Sequence, residues 1–317
     1  MKRVLVTGAT GCVGHYVIEA LHADPDVALV LLARNPAKLK LPNLDRITWI
    51  QDDVRNVEAY ADALQGLAGV VHIATAWGDP ESYPINVDAT LALARLTAPA
   101  PFIYFSTASI LDEQNKPLEV ADTEGTDYVR SKYLAYQALK ASEHAGRVMT
   151  VFPTIIFGGS PHHPTSHASN GLPGLVKALW VLRWLTVDGS LHFIHAADIA
   201  RVVAHLLEVP RPGADLVLGN DCATVDDLLA RMCGYYALPR GRRLNLTPLT
   251  GLIGRLAGRR MNSWDRVCLE QRHFRYEAVN PRRLGLAPGL ESIEQILATI
   301  DRRGVPAPQP AAVVAGG

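Results

Sequence analysis

The 317-residue chain reads as an α/β protein: a Rossmann-like, doubly wound parallel sheet with a smaller, mostly helical C-terminal lobe. Three observations predict this. Short apolar, β-branched runs alternate with stretches of helical period. A glycine-rich turn joins the first such strand to the first such helix. Finally, Arg34, Asp53, Ala74, Thr107 and Pro153 each stand where an apolar strand runs out, so a parallel sheet would bring them to one edge.

Val4, Leu5 and Val6 suit a strand buried on both faces. Gly8, Gly11 and Gly14 follow at spacings of three, and then Val17, Ile18 and Leu21 recur at helical period. Together they make a dinucleotide cradle. Gly8 permits the tight turn, Gly11 lets the backbone approach a pyrophosphate, and Gly14 lets the helix pack close to the strand. The helix N-terminus adds free N–H groups and a positive dipole end.

Residues 27–33 make a second strand ending at Arg34, and 47–50 a third ending at Asp52 and Asp53. Residues 69–74 make a fourth, followed by a loop and a helix over 86–96. The fifth, 102–105, ends at Ser106 and Thr107, and a long helix over 127–145 leads into the sixth, 148–152, which ends at Pro153. From Gly158 the pattern changes to a loop carrying His162, His163 and His167, then an apolar helix over 175–184. Residues 193–198, the helix they lead into and 216–219 read as returns to the sheet, whereas 224–300 read as mostly helical, with turn signals at Pro239, Pro248 and Pro281. The expected division is a dinucleotide-binding domain, 1–157 with returns at about 192–220, and a substrate-binding lobe, 158–191 and 221–303, capping the crevice. Residues 304–317, rich in Pro, Ala and Gly, read as a disordered tail. There are no internal repeats.

Hydrophobic content of 48% with 20% charged residues is globular, and the formal net charge of zero sets up no field for nucleic acid or anionic lipid. Cys12, Cys222, Cys233 and Cys268 form no CxxC pair and no metal spacing. The first strand begins at residue 3, leaving no room for a signal peptide, and no apolar run reaches membrane-spanning length, so a cytoplasmic location is expected.

Tyr128 and Lys132 stand four apart at the start of the long helix and share a face. A free phenol titrates near 10. A neighbouring ammonium, helped by an oxidised nicotinamide, is expected to lower that value, so that the phenol exchanges a proton with a carbonyl or alcohol oxygen. Thr107 or Ser106 can hold the same oxygen. A second pair, Tyr136 and Lys140, lies about 12 Å farther down the helix and reads as a packing tyrosine beside a solvated lysine.

With these residues in view, the chain resembles an extended short-chain dehydrogenase/reductase of the epimerase/dehydratase superfamily. The resemblance rests on Thr7-Gly8-Ala9-Thr10-Gly11-Cys12-Val13-Gly14, Asp53-Val54, Val71-His72-Ile73-Ala74, Asn86-Val87, Phe105-Ser106-Thr107-Ala108-Ser109 and Tyr128-Val129-Arg130-Ser131-Lys132. It continues in Pro153-Thr154-Ile155-Ile156-Phe157-Gly158, Phe193-Ile194-His195-Ala196-Ala197-Asp198 and the Leu284-Gly285-Leu286 region. It implies an oxidoreductase with Thr107, Tyr128 and Lys132 as its catalytic triad. It also implies Asp53 at the adenine and Pro153 and Ile155 at the nicotinamide, with Gly8, Thr10, Gly11, Cys12, Val13, Gly14, Arg34, Val54, Ala74 and Lys132 completing the cofactor site.

Enzymes of this fold that use NAD carry an acid at the end of the second strand for the ribose 2′-hydroxyl. Here Ala33 stands there, followed by Arg34, which suits a 2′-phosphate, so NADP is expected, with NAD as the alternative. Phe152 and Val187-Asp188-Gly189-Ser190 depart from the nucleotide-sugar branch, and the residues after Pro153 look more like the flavonol-reductase and hydroxysteroid-dehydrogenase branch. The expected substrate is a small, rather apolar carbonyl or secondary alcohol. A nucleotide-sugar epimerase or dehydratase and a non-catalytic cofactor-binding regulator or assembly subunit are the alternatives.

Trp180 and Trp184 either line an apolar pocket or pack in the core. His162, His163 and His167 suit a lid loop better than a metal site, and no metal is expected. His72 and His195 read as packed. The arginines at 255, 259, 260, 266, 272 and 275 either face solvent or meet an anionic substrate, and Asp198 supports a helix start. The chain is expected to be a monomer or homodimer.

Overall fold

The computed structural model describes residues 1–78, 81–249 and 262–300. The strands are β1 (Lys2–Thr7), β2 (Val27–Leu32), β3 (Ile47–Ile50), β4 (Gly69–His72), β5 (Phe102–Phe105), β6 (Val148–Pro153) and β7 (Ile155–Phe157). They continue with β8 (Leu185–Thr186), β9 (Ser190–Leu191), β10 (Phe193–His195), β11 (Asp215–Leu218), β12 (Ala223–Thr224), β13 (Leu244–Asn245) and β14 (Ala278–Val279). The α-helices are α1 (Cys12–His22), α2 (Ala89–Leu96), α3 (Val120–Thr123), α4 (Asp127–Ala141), α5 (His167–Leu182) and α6 (Ala196–Glu208). After them come α7 (Val225–Tyr235), α8 (Ser263–Gln271) and α9 (Ile293–Ile300).

Eight strands form one sheet in the order β14-β11-β6-β5-β4-β1-β2-β3, and every ladder in it is parallel. This is the Rossmann-like α/β architecture. The chain winds outward in both directions from β1, so the strand order reverses between β1 and β4, where a ligand crevice opens. β4, β5 and β6 are buried at every residue, as central strands covered on both faces must be. The alternation of side chains along each strand splits the core in two. Leu5, Val30, Val70, Phe102 and Tyr104 face α2 and α4, while Val4, Val6, Leu29, Leu31, Val71 and Ile103 face α1 and α6. A third cluster joins Leu172, Val176 and Leu179 of α5 to Phe193, Met232, Cys233, Ile296 and Leu297.

Several elements differ from the sequence expectation. Phe193–His195 does not return to the main sheet; β10 pairs with β7 in a separate two-stranded ladder, so that of the two expected returns β11 alone joins the sheet. An eighth strand, β14, comes from the part read as helical; it is two residues long and carries no period of its own. A 3₁₀-rich helical segment, Val54–Leu64, was not anticipated. The long helix stops at Ala141, and α5 begins at His167, capped by Ser166, with Pro173 inside it. A proline there sacrifices one ladder bond. The expected tail from 304 and the arginines at 255, 259 and 260 lie outside the described residues.

Candidate active site

The glycine turn shows which glycines the fold itself requires. Gly8 has φ +69°, and a Cβ on it would stand 2.8 Å from the Ala74 nitrogen. A Cβ on Gly14 would stand 2.2 Å from the Gly8 carbonyl oxygen. Gly11 is different: its Cβ would meet only the Gly8 oxygen, at 3.4 Å, an ordinary contact. Gly11 lines the crevice, so the space left by its missing side chain is open to a ligand. It also caps α1 with no side-chain hydrogen bond, leaving the first N–H groups of the helix open to an anion. The turn therefore fits a pyrophosphate.

A buried hydrogen-bond chain ties the ends of β1 and β4 together. Thr7 Oγ1 accepts from the Ile73 and Ala74 N–H groups, both at 3.1 Å, so its own proton goes to His72 Nδ1 at 2.7 Å. His72 Nε2 then donates to Thr90 Oγ1 at 2.8 Å, and Thr90 donates to the Asn86 carbonyl at 2.8 Å. Burial pulls His72 down to about 3, so the ring is neutral and this tautomer is the one the network requires.

At the end of β2 and β3, Asp53 caps the helical segment that follows and is gripped by Arg55 through Nε and Nη2, each at 3.0 Å. Those hydrogen bonds hold its carboxyl below the usual range. Arg34 is 77% exposed and lies 3.8 Å from Asp53. The two residues expected at the adenine end are therefore neighbours, and the Asp53 charge is largely answered by Arg55.

Thr126 caps α4, which projects Tyr128 and Lys132 toward the sheet edge one turn apart. Lys132 is 2% exposed; its Nζ donates to the Phe105 carbonyl at 2.7 Å and stands 5.1 Å from the Tyr104 ring centre. Burial lowers it to about 7. The Thr107 hydroxyl, which the structure pairs with Ser109, acts to lower the pKa of the Tyr128 phenol, yet burial pushes it up to about 12. The expected lowering is for a site that also holds an oxidised nicotinamide; in the protein alone the phenol is made less acidic, because desolvation outweighs the effect of Thr107. Thr107, and not Ser106, reaches it. Ser106 Oγ is buried with no hydrogen-bond partner among the described residues.

One cleft of about 940 Å³ gathers Gly8, Thr10, Gly11, Cys12, Val13, Gly14, Arg34, Asp53, Val54 and Ala74 with Thr107, Tyr128, Lys132, Pro153 and Ile155. Every residue singled out for cofactor or catalysis thus lies on its wall. The wall continues through Trp77, Ile85, Leu191, Cys268, Phe274 and Tyr276, and through Pro164 to Ala168. Trp77 was missed, although its signal was present: a large aromatic just past a strand end at the ligand edge. Asn86 has a structural role that no local sequence pattern shows. It is fully buried and clamps the loop after β4 through Thr75 and Ala76.

Other residues lie elsewhere. Tyr136 is buried and donates to Asp215, as does Lys140, which is thus paired and not free in solvent. Trp180 and Trp184 neither line the cleft nor pack in the core; they are 63% and 44% exposed and sandwich Arg183. His163 stacks on Tyr16 at 3.9 Å and meets Glu19, while His167 lines the cleft. Among the described residues no group of three or more His, Cys, Asp and Glu is placed to hold a metal. Arg272 faces Asp188, and Arg275 donates to Ser190. Asp198 sits in the first turn of α6, behind the cap His195, and accepts from the Leu290 N–H at 2.8 Å. No described helix is long and apolar enough to cross a membrane.

Comparison with known proteins agrees with this geometry. Residues 4–219 match the family described as the NAD dependent epimerase/dehydratase family. The chain is 26% identical over 272 residues to dihydroflavonol 4-reductase of Zea mays, covering 74% of each chain. It is 27% identical over 247 residues to vestitone reductase of Medicago sativa, covering 67% of this chain and 74% of that one. Its fold is shared with dTDP-glucose 4,6-dehydratase of Bacillus anthracis, crystallised with NAD, at TM-score 0.66 and 14% identity over 95% and 96% of the two chains.

Proposed function

The chain belongs to the NAD dependent epimerase/dehydratase family and is an oxidoreductase-type enzyme, and from that footing we propose that it is an NADP-dependent reductase of a carbonyl on a small, rather apolar molecule. The observation that carries this reading is the meeting of Thr107, Tyr128 and Lys132 in a cleft whose outer wall is Trp77, Ile155, Leu191, Phe274 and Tyr276. Among the described residues of that wall the one guanidinium is Arg34, at the far end from Tyr128's helix. A nucleotide-sugar pyrophosphate would call for cations on the substrate side. The reductases of Zea mays and Medicago sativa named above point the same way. We assign the substrate side to the described residues of 158–191 and 221–300 other than β14, which belongs to the main sheet.

The cofactor's pyrophosphate is assigned to Gly8–Gly14 and the α1 N-terminus, its adenosine to Arg34, Asp53 and Val54, and its nicotinamide to Ala74, Pro153 and Ile155. Arg34 beside Ala33 favours the 2′-phosphate, hence NADP over NAD. When bound, the reduced cofactor supplies a hydride to the carbonyl carbon. Tyr128, kept protonated by its surroundings, gives its proton to the carbonyl oxygen while the Thr107 hydroxyl holds that oxygen in place. Lys132, held by the Phe105 carbonyl, stands one turn below and supports the phenolate that results.

The test is a panel of apolar ketones, aldehydes and nucleotide sugars, followed by the absorbance of the reduced nicotinamide. Stoichiometric NADPH consumption with an apolar carbonyl is expected, lost by roughly 10²–10⁴-fold in Tyr128→Phe with NADPH binding retained. Conversion of a nucleotide sugar without net cofactor consumption would overturn the reading.

A further inference from the structure

The loop after β4 lays Trp77 flat on Tyr128. The rings are 4.2 Å apart at 11°, and the indole is also 4.7 Å from His167 of α5, so it bridges the loop, α4 and α5. This contact is built into the fold. Asn86, fully buried, accepts from Thr75 Oγ1 and the Ala76 N–H, both at 2.9 Å, and donates to the Ala76 carbonyl at 3.0 Å. It also donates to Ser131 Oγ at 2.9 Å, and Ser131 donates to the Tyr128 carbonyl at 2.9 Å. One network therefore fixes the backbone leading into Trp77 relative to the helical turn that carries Tyr128. Yet the indole itself is 57% exposed, so its placement is not that of a core residue.

We propose that Trp77 is a positioning residue for the reaction: it holds the Tyr128 ring in one orientation and bars water from its outer face, so that a carbonyl reaches the phenol only from the Thr107 side. This rests on the reading of Tyr128 as proton donor. The groups around the phenol are Lys132 on its own helix, Thr107 and Tyr104 from β5 and its end, and His167 across the indole. The phenol's upward shift has burial as its largest cause, and Trp77, stacked on the ring, covers one of its faces.

Ionisation of Tyr128 is read by tyrosinate absorbance, as the difference between each protein and its Tyr128→Phe counterpart, a measurement that needs no turnover. At about pH 11 the wild-type phenol stays mostly protonated, whereas in Trp77→Ala a larger fraction is ionised, because part of the cover that holds it up to about 12 is gone. Trp77→Phe, which keeps a ring on the phenol, stays near wild type, and Trp77→Leu falls between. In NADPH-dependent turnover, Trp77→Ala lowers kcat about tenfold with KM for NADPH unchanged, and the alkaline limb of its pH profile moves to lower pH. A Trp77→Ala protein that titrates like wild type would overturn the shielding and leave the reductase reading intact. A shifted titration in a protein that reduces no carbonyl would overturn the reductase reading and leave the shielding intact.

Discussion

Alanine substitutions at Gly14 and Gly11 should separate stability from cofactor affinity. At Gly14 the new Cβ would lie 2.2 Å from the Gly8 oxygen and 3.0 Å from two Ala9 backbone atoms, more than 1 Å inside ordinary contact for the first. All three neighbours are backbone of the turn after β1, so α1 must move away from that turn. Overpacking of this kind costs about 1–3 kcal/mol, which lowers Tm by roughly 2–10 °C in a chain of this size. At Gly11 the backbone is at φ −85°, open to alanine, and the Cβ meets only one atom, at 3.4 Å. Stability should change by less than about 0.5 kcal/mol. The methyl would instead occupy the space in the crevice assigned to the pyrophosphate, and NADPH affinity should fall at least about tenfold, or 1.4 kcal/mol. Thermal unfolding without ligand and a fluorescence titration with NADPH read the two effects separately. Wild-type NADPH affinity in Gly11→Ala would refute the assignment of the cradle, and an unchanged Tm in Gly14→Ala would refute the packing argument.

Arg34→Ala should weaken NADPH binding about tenfold while leaving NADH unchanged, a modest effect because the side chain is exposed and its pairing screened; equal losses for both dinucleotides would remove Arg34 from the 2′-phosphate. His72 titrates near 3 in the fold and near 6.5 when unfolded, so the unfolded chain binds more protons between those values. Its contribution to stability is complete above about pH 6.5 and declines as pH falls toward about 3, by roughly 3 kcal/mol between 6.5 and 4. Urea unfolding of wild type and His72→Asn at those two pH values should therefore show a shallower decline in the variant, and parallel declines would count against the neutral tautomer.

The sheet edge was legible because buried strands leave long apolar runs whose ends are easy to see. Arg34, Asp53, Ala74, Thr107 and Pro153 were placed on one crevice from strand ends alone, and the structure brings all five to one cleft. Elements held by tertiary contact were not legible. β14 is two residues, Ala278 and Val279, stabilised by pairing with β11 on the outer edge, and no period shows in so short a run. Phe193–His195 has the apolar texture of a sheet strand, but its partner is β7, and texture does not name a partner. Trp180 and Trp184 were read as core or pocket by residue type, whereas Arg183 between them lets both stay exposed. Trp77 and Asn86 act through one another and Ser131, 45 residues away, a relation that no local pattern carries.

Lys132 is where the site's demands oppose those of the fold. Among the described residues no carboxylate lies within ion-pair distance of it; its Nζ has the Phe105 carbonyl and the face of Tyr104. Burial lowers it to about 7 from the 10.4 or so of an unfolded lysine, so the unfolded chain binds more protons across that interval. Stability should therefore rise with pH from about 7 toward 10, and at pH 7 and below the buried ammonium costs a few kcal/mol. Lys132→Met keeps the length of the side chain and removes the charge. It should be more stable than wild type at pH 7 by about 1–4 kcal/mol, with the gap closing as pH rises, and it should lose reductase turnover. Urea unfolding at several pH values measures the gap, and a variant less stable at pH 7 would mean that the Phe105 bond and the Tyr104 face outweigh desolvation. The same apolar surroundings that lower the lysine raise the phenol, so one feature leaves Tyr128 protonated for donation and Lys132 poised near neutrality. A fold selected for stability alone would not keep an unpaired cation there, and any bound group that presents oxygen atoms to Nζ restores its charge and draws binding energy from doing so.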